Sequence, residues 1–220
     1  MNISDYIDML FNGTKDTLYM TITATFLSYL IGLPLGIIIV ITEKGHILPH
    51  PKLNAVLGWI INITRSIPFI ILLIAIVPFT RLVAGTTIGS TASIVPLVVA
   101  AIPFVARLVE TSLKELDRGI IEAVQSIGAS PWQIVIKVMV PETMPSILLG
   151  VSITAITVIG YSAMAGVTGG GGLGDIAVRY GFYRYQEDLM FLTIVLLVII
   201  VQLVQTLGSG ISRKLDRKKR

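Results

Sequence analysis

Four long runs without a charged side chain constrain this chain more than any other feature. Residues 17–42, 82–106, 143–174 and 189–212 hold 26, 25, 32 and 24 residues with no Asp, Glu, Lys or Arg. Each run exceeds the ~20 residues that an α-helix needs to cross the hydrocarbon of a bilayer. A fifth apolar run, 54–78, is interrupted only by Arg65. In lipid the backbone must satisfy its own hydrogen bonds, so runs of this length are read as helices. Five spans use up nearly half of the chain and leave no room for a sizeable soluble domain. The composition agrees, because a water-soluble domain could not hide a chain that is 54% hydrophobic and only 14% charged. The expected fold class is all-α, a polytopic membrane protein with five transmembrane helices. The spans are placed near 17–41, 57–78, 86–106, 146–167 and 189–208. An N-terminal segment, 1–16, precedes them and a basic tail, 209–220, follows. The first span is too long for a signal-peptide core and its flank is acidic (Asp5, Asp8, Asp16), so it is read as retained.

The basic residues sort by compartment. The connections 42–56 and 107–142 and the tail together carry twelve Lys and Arg, against four in the alternate segments. The positive-inside rule then puts the N-terminus outside and the C-terminus in the cytoplasm. The net charge of +4 comes mostly from the tail. Because the tail follows an apolar span directly, anionic lipid headgroups are its expected partner rather than nucleic acid. Cysteine is absent, which excludes disulfides and thiolate metal sites. The two histidines, His46 and His50, lack the glutamate and third ligand of a zinc-protease pattern, so no metal site is expected.

Several segments depart from a plain apolar helix. Gly32 and Gly36 have the small-xxx-small spacing of closely packed membrane helices, beside a kinking Pro34. Arg65-Ser66-Ile67-Pro68 puts a charge and a helix breaker inside the second span, which predicts a broken helix there. Arg65 is placed beside a translocation path or, alternatively, snorkels from the end of a shorter segment. Pro96 and Pro103 interrupt the third span. The longest connection, 110–141, mixes charged and apolar residues. Asp117 is placed to cap a helix from Arg118, with Ile120, Ile121, Val124 and Ile127 at helical spacing and Gly128 at its end. Ser130-Pro131 reads as the cap and first turn of a second helix, and Pro141 and Pro145 as the start of the fourth span. Gly169, Gly170, Gly171, Gly172 and Gly174 follow that span. They read either as a flexible linker or as irregular backbone packed against protein at the outer mouth.

The segment Glu122-Ala123-Val124-x3-Gly128-x9-Val138-x-Val140-Pro141 closely resembles the E-A-A-x3-G-x9-I-x-L-P loop of permease subunits of bacterial ABC importers. The departures at Val124, Val138 and Val140 are conservative apolar changes. Arg65-Ser-Ile-Pro-Phe-Ile70 and Gly160-Tyr-Ser-Ala-Met-Ala-Gly166 look like the methionine-import permeases, a short five-span branch of the type I, binding-protein-dependent family.

This resemblance implies a non-catalytic homodimer with two ATP-binding subunits on its cytoplasmic side and a substrate-binding lipoprotein outside, in a bacterial cell membrane. ATP and Mg would be bound by the partner, with no cofactor and no catalytic residue on this chain. Residues Glu122, Ala123, Gly128, Ala129, Ser130 and Pro141 would form the coupling loop to the ATPase. Arg65, Tyr161, Ser162 and Met164 are the expected pathway or gate residues, and the substrate would be methionine, both D- and L-forms. The same fold importing another amino acid or an osmolyte is the nearest alternative. An intramembrane aspartyl protease is suggested by Gly172-Leu173-Gly174-Asp175, but such chemistry needs a second carboxylate and the other spans have none. An autonomous channel or secondary transporter would lack membrane carboxylates to carry a coupling ion.

Overall fold

The structure, a computed structural model, describes residues 3–215. Of the basic tail, Arg217, Lys218, Lys219 and Arg220 lie outside the described residues. Among the described residues, four helices are long and apolar enough to cross a membrane, and a bent pair supplies up to one more. The first, α1 (Ile3–Ile41), differs from expectation at its start. Residues 3–16 are not a separate segment but the first turns of the span itself. Met9 and Leu10 pack against a cluster that contains Leu173 and Ile176, which gives these turns a place on the protein.

The second expected span, 57–78, is not one helix. The chain forms α2 (Pro51–Ser66) and α3 (Phe69–Ala75), which meet at an angle of 101°. Ile67 sits in the extended region (φ −84°, ψ 122°), where a residue before proline is driven by the proline ring. Pro68 then has no N–H to continue the helix. A short α4 (Val77–Ala84) ends at Gly85.

The central element is α5 (Ser90–Lys114), which runs past the expected limit of 106 and keeps Pro96 and Pro103 inside it. Helix α1 lies closely against α5, because Gly32 and Gly36 leave room for Val105 and Val109. Hydrophobicity cannot hold such helices together in lipid; close packing of small residues does.

Next come α6 (Arg118–Ser126) and α7 (Pro131–Ile134). A π-helical turn (Val135–Met139) joins α7 without interruption to α8 (Val140–Ala165). Here the structure corrects a boundary. Pro141 and Pro145 do not begin the span; they lie inside a helix that starts at Pro131. A π turn widens the helix, and its position just before Pro141 relieves the clash of the proline ring with the preceding turn. The last glycines of the run, Gly172 and Gly174, lie in α9 (Gly172–Ile176), and a second π turn (Ala177–Phe182) and α10 (Glu187–Leu215) follow.

Candidate functional site

Helix α6 hangs between α5 and α8 at the end of the bundle that also carries the 42–50 connection. Asp117 accepts a hydrogen bond from the Gly119 N–H at 2.7 Å and caps the helix start. At the other end the Ala129 N–H bonds the Val124 carbonyl (3.3 Å) and the Gly128 N–H bonds the Gln125 carbonyl (2.9 Å). This is a Schellman ending, with Gly128 at the left-handed position that the motif requires (φ +82°). Ser130 caps the next helix: its hydroxyl accepts from the Gln133 N–H, and the Gln133 side chain accepts from the Ser130 N–H.

Only Ile121 of α6 is buried. It inserts into a core built from Val105, Val109, Leu113, Ile134 and Met139, with Val124 and Ala129 packed against the cluster. Glu122, Ala123, Gln125 and Ser126 face away from the chain. Two large apolar side chains are also bare there, Ile127 at 84% exposure and Trp132 at 72%. Pro141 is set apart from this face. It lines an open cavity of about 610 Å³ with Glu115, Glu142, Ser146, Ser212 and Leu215. Of the six loop residues named from the sequence, five therefore form one stretch around Gly128, and Pro141 stands on the adjoining helix.

The expected gate residues do not form one group. Tyr161 stacks its ring on Phe69 of α3, with centroids 4.5 Å apart and planes 3° apart. Ser162 is buried and its hydroxyl donates to the Ile159 carbonyl of its own helix at 2.8 Å. Met164, three residues from Tyr161, is 48% exposed on the open side of α8. Arg65 is exposed on the last turn of α2, one turn before the elbow that brings Phe69 to Tyr161. The stacked Phe69, within the quoted motif but not chosen from it, is the residue that sequence reasoning missed. Its partner across the bundle is invisible in one dimension.

The glycine run is packed rather than open. Gly169, Gly171 and Gly172 take positive φ, and the Gly170 N–H bonds the Ala165 carbonyl at 3.0 Å. Gly174 approaches the α8 backbone so closely that a Cβ would land on the Ala163 Cα. Thr17 of α1 holds the turn from the other side, accepting from the Leu173 N–H at 2.9 Å. Asp175 pairs with Arg179 at 3.1 Å. His50 caps α2 by accepting from the Leu53 N–H.

Outside the membrane, His46 has its pKa lowered below the usual 6.5. Burial is the main cause, and the positive charges of Arg118 and Lys114 add to it against the opposing pull of Glu43.

Residues 32–220 match the model of the binding-protein-dependent transport system inner membrane components. The chain is 49% identical over 211 residues to the probable D-methionine transport system permease protein MetI of Vibrio cholerae, covering 96% of this chain and 94% of the relative. It is likewise 49% identical to the protein of the same description from Pasteurella multocida, over 94% and 95% of the two chains. Among solved structures it superposes on a chain of the MetNI methionine ABC transporter in an inward-facing conformation. That match has a TM-score of 0.96 and 46% identity over 99% of this chain and 100% of the other. The chain belongs to the family of binding-protein-dependent transport system inner membrane components.

Proposed function

We infer that the chain is the permease subunit of an ATP-driven methionine importer, forming the path by which D- and L-methionine cross the cell membrane. The observation that carries this is the short capped helix Arg118–Ser126, seated on the bundle by buried Ile121 and half-buried Val124 with the rest of its surface exposed. A helix that gives its own chain one narrow apolar edge, and presents a glutamate, small residues and, just beyond it, two bare apolar groups outward, is built for a partner. Names of close relatives support methionine as the substrate.

In this reading the chain hydrolyses nothing. ATP and Mg sit on two ATPase subunits below a homodimer of the chain, and a substrate-binding lipoprotein delivers the solute from outside. The N-terminus lies outside and the C-terminus in the cytoplasm, as the distribution of Lys and Arg favours. Glu122, Ala123, Gly128, Ala129 and Ser130 meet the ATPase. Glu122 supplies a charge-assisted contact, and Ile127 and Trp132 supply apolar area. Closure of the ATPase dimer on ATP displaces the two docked helices together. Because α6 is rooted in the core at the base of α5 and α8, the displacement becomes a near-rigid movement of those spans. Half-buried Tyr161 on Phe69, Met164 on the exposed side of α8 and Arg65 at the elbow line the path that this movement opens. Ser162 acts behind them, fixing its helix rather than touching solute. The glycine run is the packed outer end of the same unit.

The test is uptake in cells. A strain lacking its own methionine importer regains methionine uptake when given this chain with its ATPase and binding protein. Failure to regain it, with all three proteins present in the membrane fraction and periphery, contradicts the assignment.

A further inference from the structure

The motor end of the bundle contains a polar clasp that the coupling loop itself does not use. Arg107 of α5 pairs through Nη1 with the Glu110 carboxylate one turn below it. Its Nη2 crosses to α2, donating to Asn62 Oδ1 at 2.7 Å and to the Gly58 carbonyl at 3.5 Å. Gly58 and Asn62 lie one turn apart, so the guanidinium grips one face of α2 at two heights. From Glu110 the chain of charges continues downward. Lys114 Nζ lies 3.1 Å from Glu110 Oε1 and 3.1 Å from Glu43 Oε2 on the connection that follows α1.

What else holds α2 makes this clasp informative. Ile61 is its only buried residue, seated with Ile39 and Ala106. Leu57 packs beside it, and Asn54 Nδ2 donates to the Ile39 carbonyl of α1 at 2.6 Å. Those contacts hold the first half of the helix; toward its C-terminal end a forked charged donor with two acceptors fixes its azimuth. Arg107 is itself about a quarter exposed, but Glu110 is buried and fully committed to its two cations. The guanidinium is therefore held on α5 and points at α2.

We propose that Arg107 is a positioning residue of transport. It clasps the broken second span to the segment of α5 that leads into α6, so that α2 moves with the coupling helix. This rests on the coupling role given to α6 above. The movement then reaches the Ile67–Pro68 elbow, and beyond it Phe69, whose ring lies on Tyr161 of α8. The broken span thereby reports the state of the motor to the candidate gate from a second direction, independent of the direct connection through the base of α8.

Asn62→Ala removes the acceptor on α2 and leaves the Arg107–Glu110 pair intact, at an exposed position where folding is not at stake. In liposomes holding the complete transporter, methionine moved per ATP hydrolysed is expected to fall about tenfold, the scale of one lost hydrogen bond to a charged group. Thermal stability should fall only slightly, because Asn62 is exposed and Arg107 keeps Glu110 and the Gly58 carbonyl. Asn62→Asp, which keeps an acceptor and adds charge, is expected to retain the wild-type ratio. A merely structural role would not separate transport from hydrolysis in this way. The chain has no cysteine, so spin labels at Trp59→Cys and Gln125→Cys report the distance between α2 and α6 directly. That distance should stay narrow and constant on ATP addition in the wild type, and broaden with Asn62→Ala. The double variant Arg107→Gln/Glu110→Gln removes both charges without stranding either, and should behave as Asn62→Ala does. An unchanged transport ratio with Asn62→Ala, or α2–α6 distances indifferent to it, overturns the clasp. A wild-type transporter that does not couple hydrolysis to uptake overturns the functional reading beneath it, and the clasp falls with that.

Discussion

Replacing Gly128 by alanine changes one dihedral preference and adds one methyl group with nothing within 4 Å of it. The cost is therefore conformational, not steric. At φ +82° an L-residue suffers roughly 1–2 kcal/mol relative to its right-handed state. The two Schellman bonds, from Gly128 to Gln125 and from Ala129 to Val124, are the native contacts that must absorb this strain. A change of 1–2 kcal/mol corresponds to about a 5–30-fold shift between the ordered ending and its frayed alternatives. Because only Ile121 and Val124 tie α6 to the core, a frayed ending misdirects Glu122 and Ile127 without disturbing the spans. The assay is co-purification of the ATPase subunit with tagged permease from solubilised membranes, across a series of ATPase concentrations. Gly128→Ala should reach the membrane at normal levels and bind the ATPase about 5–30-fold more weakly. Gly128→Asn should recover most of the loss, since asparagine tolerates the left-handed region. Wild-type affinity in Gly128→Ala, or equal loss in both variants, refutes the reasoning.

Other expectations are as direct. Gly174→Ala would force a Cβ into the Ala163 backbone, where no side chain can rotate away. Thermal aggregation of the solubilised protein should register a loss of about 1–3 kcal/mol, while Gly210→Ala, with open space around it, should not. Tyr161→Ala loses the stacked pair with Phe69, worth about 0.5–1.5 kcal/mol, and should lower uptake more than Tyr161→Phe, which keeps it. The depressed pKa of His46 has a definite sign in stability. The folded state favours the neutral imidazole more than the unfolded chain does, so its contribution is complete above 6.5 and is lost as pH falls below that value. Melting curves from pH 7.5 down to 5 should therefore drop less steeply in His46→Gln than in the wild type.

How much of this was legible in the sequence depends on range. Spans one, three, four and five follow from uncharged runs, because the bilayer punishes every charge locally. The end of α6 was equally legible, since Asp117, Gly128 and Ser130-Pro131 act within a few residues of themselves. Boundaries set by distant packing were not. Residues 3–16 join α1 because Met9 and Leu10 rest near Ile176, far along the chain. Pro141 looked like a helix start, yet the π turn at Val135–Met139 carries the helix through it. The elbow at Pro68 was predictable, but its angle and the landing of Phe69 on Tyr161 were not. Ser162 reads as polar in a span, and only the fold reveals that its hydroxyl is spent on its own backbone. Arg107, Glu110 and Lys114 share a helix face by spacing alone. Asn62, which completes the clasp, lies 45 residues away.

In the proposed reading this chain is a passage driven by a separate ATPase through α6. Accumulation of radiolabelled methionine in liposomes containing the chain, the ATPase and the binding protein tests it most directly. Uptake should require ATP and all three components, and should fall with Gly128→Ala in step with its weaker hold on the ATPase. Methionine flux through the chain alone, or ATP-driven uptake indifferent to residues 118–130, would contradict it.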